Sequence, residues 1–142
     1  MSDDLSGWVR TTLESGGEQA IAFEGRWRSW AWVAKLAEQL GATLAAAGVP
    51  AGAPIGLIAR NRPAHVAAFA AQLAAHRTTS MVYSAQGLAA LAADIRGLRA
   101  AAVMADLQDW TESLIAAAAE AGSVGIAPVS YTHLTLPTIY SV

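Results

Sequence analysis

Arg60, Asn61 and Arg62 have the types and spacing best suited to chemistry in this 142-residue chain. They follow an apolar run, Pro54-Ile-Gly-Leu-Ile-Ala59, and precede Pro63. Two guanidinium groups so close could grip a phosphate or a carboxylate. Ligands of open α/β sheets bind outside the carboxyl ends of strands, which is where this triplet falls. An exposed turn, with Asn61 bonding to neighbouring backbone, is the simpler account, because arginines are common on surface loops.

The other candidates are weaker. His65 and His76 share one predicted helix, about 16 Å apart at a rise of 1.5 Å per residue, too far to share a metal. Lying in its first and last turns, they are expected at the surface. Asp94, Asp106 and Asp109 could act as general bases, but the sequence identifies no partner for them. Gly48, Gly52 and Gly56 form a glycine cluster that comes after a helix and before a strand. A phosphate cradle needs the reverse order, so the cluster reads as a turn. Trp27, Trp30 and Trp32 gather with only Arg26 and Arg28 for basic company, which suits packing rather than base stacking. No nucleophile elbow, metal motif, dinucleotide fingerprint or phosphate loop is present. No catalytic, cofactor-binding or metal residue is assigned.

The elements that must position these residues follow from periodicity. Leu5, Trp8, Val9 and Leu13 fall at helical spacing, with Asp3 and Asp4 ahead of them and Gly16 and Gly17 behind. Ala20–Phe23 and Trp27–Ser29 read as a hairpin, with Gly25 able to take the positive φ of its turn. Ser29 is placed to cap a helix whose apolar face is Val33, Leu36, Ala37, Leu40 and Leu44, ended by Gly48 and Pro50. Apolar strands at Pro54–Ala59, Thr78–Tyr83, Ala101–Ala105 and Val124–Ala127 then alternate with helices near Ala64–His76, Leu88–Leu98 and Thr111–Ala121. A short hairpin followed by alternating helices and apolar strands predicts an α/β fold with a parallel sheet covered on both faces.

Composition narrows the classes. A net charge of −2 gives no basic footprint for nucleic acid. The chain has no cysteine, which excludes disulfides, zinc thiolates and a cysteine nucleophile and fits a reducing cytoplasm. No run reaches the ~18 apolar residues of a membrane span, and the opening Met1-Ser2-Asp3-Asp4 lacks the basic start of a secretory signal. Alanine supplies 34 residues, yet none lies in Val129–Val142. Val129–Thr138 resembles the translation of a transposon-end adapter used for short-read libraries. Residues 129–142 are therefore expected to be a non-native tail, and 1–128 the start of something longer.

The stretch Ala20-Ile-Ala-Phe-Glu-Gly-Arg-Trp-Arg-Ser-Trp30 resembles the opening hairpin of AMP-forming acyl-CoA synthetases and ligases, the adenylate-forming superfamily. Leu36–Val49 is similar to the helix that follows it there. Ala51–Leu57 is similar to the Pro-Gly-Asp-x-Val-Ala segment, with Ala53 in place of the acid. Ala59-Arg60-Asn61-Arg62-Pro63 is similar to the Asn-x-Pro turn, and Phe69–Val82 to the next helix and strand, with His76-Arg77 where Ala-Gly is common. The likeness runs from about Ala20 to Asp109.

The resemblance implies an incomplete N-terminal domain at 1–128. Its longer parent would use ATP and Mg²⁺ to convert a carboxylic acid to an acyl-adenylate and pass the acyl group to CoA. The family's phosphate loop, ribose-holding acid and catalytic lysine lie downstream of the likeness. The chain itself is therefore expected to bind none of these cofactors, to be inactive and to fold poorly alone, with its last strand at an open edge. The alternative is a self-contained small α/β binding or signalling domain; a receiver-like module would need an acidic cluster at strand ends that this sequence lacks.

Overall fold

The computed structural model describes residues 4–128 and the backbone of 139–141. Helix α1 (Leu5–Glu14) starts at Asp4, whose carboxylate accepts the Gly7 N–H at 2.7 Å. That bond satisfies one of the amide donors left open at a helix start. Strands β1 (Ile21–Phe23) and β2 (Arg26–Arg28) form an antiparallel hairpin. Its two-residue turn places Glu24 at φ +48° and Gly25 at φ +74°, the left-handed pair that matches strand twist in tight hairpins.

Helix α2 (Trp30–Ala46) is capped by Ser29, whose Oγ accepts the Trp32 N–H at 3.1 Å. Its apolar stripe, Val33, Leu36, Leu40 and Leu44, is buried, and Ala37 is partly buried beside it. Gly48, at φ +80°, turns the chain out of the helix. The rest alternates as expected: β3 (Ile55–Ala59), α3 (Pro63–Ala74), β4 (Thr79–Tyr83), α4 (Leu88–Leu98), β5 (Ala102–Met104), α5 (Glu112–Ala121) and β6 (Val124–Ala127). A 3-10 turn at Leu107–Asp109, absent from the sequence reading, separates β5 from α5.

The main sheet is parallel, in the order β4-β3-β5-β6-β7. Strand β7 (Ile139–Ser141) belongs to the segment set aside as a tail, and its backbone pairs with the side of β6 expected to be open. Residues 129–138 lie outside the described residues, and with them the expectation for most of that tail.

Successive side chains of a strand point to opposite faces, and the two cores follow that rule. Ile55 and Leu57 of β3 share a core with α1, α2 and α3. Ile58 shares the other with α4 and α5, through Leu91, Ile95, Leu114 and Ala118. Strands buried on both faces read as unbroken apolar runs, which is why Ile55–Ile58 carry no polar residue. No helix among the described residues is long and apolar enough to cross a membrane.

Candidate functional site

The chain leaves β3 through α3 on one face of the sheet and leaves β5 through α5 on the other. β3 and β5 are neighbours. Their outgoing connections therefore part at a topological switch point, where open α/β sheets form their ligand crevice. Arg60, Asn61 and Arg62 stand on one lip of it. Asp106 and the 3-10 turn stand on the other.

The two lips are bridged. Arg60 donates from Nε to Asp109 Oδ2 and from Nη2 to Asp109 Oδ1, both at 2.7 Å. This two-pronged contact suits the planar fork of a guanidinium. Asp109 is 7% exposed, whereas the Arg60 side chain keeps about a third of its surface open. The carboxylate's hydrogen bonds, against the opposing pull of desolvation, raise the Arg60 pKa above its ordinary value. Arg62 donates from Nε to Asp106 Oδ2 at 2.6 Å. The other Asp106 oxygen accepts the Gln108 N–H at 3.2 Å, starting the 3-10 turn. With its oxygen turned toward Arg60, the Gln108 amide stands 2.9–3.1 Å from all three guanidinium nitrogens.

His65 sits beneath this network and corrects the sequence reading, which put it at the surface. It is 2% exposed. Helix α3 begins at Pro63, and position 65 in its first turn faces inward with Ala64 and Ala68. Its Nδ1 accepts the backbone N–H of Arg60 at 3.0 Å. The neutral ring therefore carries its proton on Nε2. Burial lowers the His65 pKa, with Asp106 pulling the other way. His76, by contrast, is exposed at the end of α3, and its Nδ1 lies 3.0 Å from Ser6 Oγ.

The remaining candidates are elsewhere. Asp94 is exposed on α4 and accepts from Gln86 Nε2 at 2.8 Å. Gly48 and Gly52 take positive φ in the turn between α2 and β3. Trp30 and Trp32 pack against the core, and Arg28 lies over the Trp32 ring, 5.1 Å from its centroid. Trp27 is 55% exposed beside them.

The crevice cations are each committed to an aspartate, and Lys35, the chain's only lysine, is exposed on α2. Among the described residues no group of three His, Asp or Glu is arranged to hold a metal ion. What the geometry does achieve is a clamp between the ends of β3 and β5. The sequence contained both halves, arginines two apart and aspartates three apart after apolar strands. It did not contain the strand order that brings them together.

The profile of the AMP-binding enzyme family matches residues 9–137. Among solved structures, ATP-bound MatB from Rhodopseudomonas palustris is similar, with a TM-score of 0.72 and 20% identity, over 90% of this chain and 26% of that one. A benzoate CoA ligase from Burkholderia xenovorans LB400 is similar with a TM-score of 0.68 and 17% identity, over 91% of this chain and 26% of that one. At such identities the likeness is one of fold. The chain spans 26% of the length of these solved relatives. No curated protein sequence matches it.

Proposed function

The chain belongs to the AMP-binding enzyme family, and from that membership we propose that it is the N-terminal part of an AMP-forming acid–thiol ligase. The longer enzyme activates a fatty or other organic acid with ATP to an acyl-adenylate, releasing pyrophosphate. It then passes the acyl group to the thiol of CoA, releasing AMP. The observation that carries this reading is the family match, which extends from α1 past β6. The order of hairpin, helix and switch-point sheet supports it.

On this reading the 142-residue chain contributes scaffold rather than chemistry. Its switch-point crevice is spanned by Arg60–Asp109 and Arg62–Asp106, which leaves no unpaired arginine there for a triphosphate. No step of the reaction is assigned to a residue of this chain. The reading also keeps residues 129–142 as a non-native tail, on their lack of alanine and likeness to an adapter.

Two measurements test the proposal. Sequencing the source locus across the codon for Pro128 should reveal a reading frame that departs from Val129-Ser130-Tyr131 and continues into a much longer enzyme. ATP–pyrophosphate exchange with a panel of carboxylic acids should then be active for that longer product and absent for the 142-residue chain. Turnover by the short chain would overturn its scaffold role. A long product inactive with every acid would overturn the ligase assignment.

A further inference from the structure

We infer that His65 is an acid-sensitive latch on the β3–α3 connection: its unprotonated Nδ1 holds the Arg60 amide, and a second ring proton releases the connection together with the ion pairs that bridge the crevice. The inference does not depend on the ligase reading.

The geometry carries it. With the Arg60 N–H directed at Nδ1, the single ring proton of neutral His65 must lie on Nε2. Nε2 is buried and has no hydrogen-bond partner among the described residues. The ring is thus held through one bond, and that bond requires an unprotonated Nδ1. A proton arriving there sets two N–H groups against each other and places a positive charge where water does not reach.

The charged groups around the ring do not absorb that charge. Arg60 and Arg62 face it from the connection, and Asp106 and Asp109 from the 3-10 turn. Both aspartates are already paired with the arginines, so the set is balanced before the histidine is charged. Burial also favours the neutral ring.

Release at Arg60 is transmitted along the backbone. The Arg62 N–H donates to Arg60 O at 2.8 Å, and Arg62 O accepts from His65 N and Val66 N to open α3. The same short segment therefore carries the latch, both guanidinium groups and the first turn of the helix. When Arg60 leaves Nδ1, the bases of both ion-pairing side chains move with it.

Amide hydrogen exchange followed by NMR on the full chain tests this between pH 7.5 and 5.5, with intrinsic rates divided out. The window lies above the usual carboxylate range and spans the ordinary histidine value near 6.5. Protection at the Arg60 amide should fall by up to about tenfold per pH unit below that value, the limit for one proton. The Leu40 and Ile58 amides, which open on global unfolding, should stay more protected than the Arg60 amide at every pH. His65→Asn keeps an acceptor oxygen near the Nδ1 position but does not titrate, so its Arg60 protection should be flat with pH. It leaves His76 and His133 in place as internal controls. An Arg60 amide as well protected as the core at every pH in the wild-type chain overturns the latch, as does an equal pH dependence in His65→Asn. Should His65→Asn not fold, ring nitrogen shifts of the wild-type chain decide: a proton on Nδ1 at pH 7.5 overturns the proposal.

Discussion

Arg60 and Asp109, separated by 49 positions in sequence, meet through two hydrogen bonds of 2.7 Å that join the end of β3 to the turn after β5. The pair is asymmetric. The carboxylate is almost fully buried, and the guanidinium is about one-third exposed. Removing the cation strands a buried charge, whereas water still reaches part of the arginine. Arg60→Ala should therefore cost about 1–3 kcal/mol of stability, the usual range for leaving a buried polar group without its partner. Urea unfolding of the full chain measures it.

Arg62→Ala should cost much less, within about 1 kcal/mol. The Arg62 side chain is 45% exposed, and solvent screens its pair with Asp106. The two substitutions, compared in one set of urea melts, separate a buried clamp from a surface contact. Equal losses would show that both pairs act as one unit.

Stability should decline as pH falls below about 6.5. Burial lowers the His65 pKa in the folded state, so the unfolded chain binds more protons there and folding strengthens with rising pH. The loss begins below the unfolded value, continues until pH passes the lowered folded value, and has a slope of at most about 1.4 kcal/mol per pH unit. Chemical denaturation midpoints at pH 7.5, 6.5 and 5.5 provide the check.

Trp110 offers a packing test. Its Nε1 donates to Ile126 O at 3.2 Å, and that carbonyl also accepts from Ala105 N at 3.0 Å. Trp110→Phe removes one of two bonds to the carbonyl and should cost about 0.5–1.5 kcal/mol. Trp110→Ala empties a buried site and should cost about 3–5 kcal/mol. Thermal melts of the two variants should differ by several degrees.

Gly56 tests the closeness of α4 to the sheet. A Cβ there would stand 3.3 Å from Leu98 Cδ1 and 3.5 Å from Val103 Cγ2. Gly56→Val should cost about 1–3 kcal/mol through overpacking, and Gly56→Ala less, since the Leu98 tip can yield. A Gly56→Val chain as stable as the wild type would mean that α4 is free to shift.

Most of the fold was legible because its signals are local. The Leu36–Leu40–Leu44 stripe, the Ser29 cap, the Gly25 turn and Pro63 at the start of α3 each act over a few residues, and each is found in its expected role. The candidate site was legible only in part. Arg60 and Arg62 stand out in the sequence, but their partners depend on β5 lying beside β3, a non-local fact that no spacing encodes. The inward position of His65 is hidden in the sequence for a related reason. Its surroundings on α3 are alanines, whose weak periodicity leaves the inward face undefined until the helix is packed.

The strand order also governs how the chain reaches this structure. Ile55 of β3 pairs with Thr79 on one side and with Ala102 on the other. Neither pairing can be closed by a tight turn, and each waits for a whole helix to cross over. The main sheet therefore has no rapid local nucleus, and its assembly should run at the slow end for a chain of this size. Until β3 finds both neighbours, β4 is present as an uncharged strand, Thr-Ser-Met-Val-Tyr, with nothing in its sequence to discourage pairing with another molecule. Refolding yield should therefore fall as chain concentration rises, and dilution rather than temperature becomes the variable that decides how much native protein is recovered.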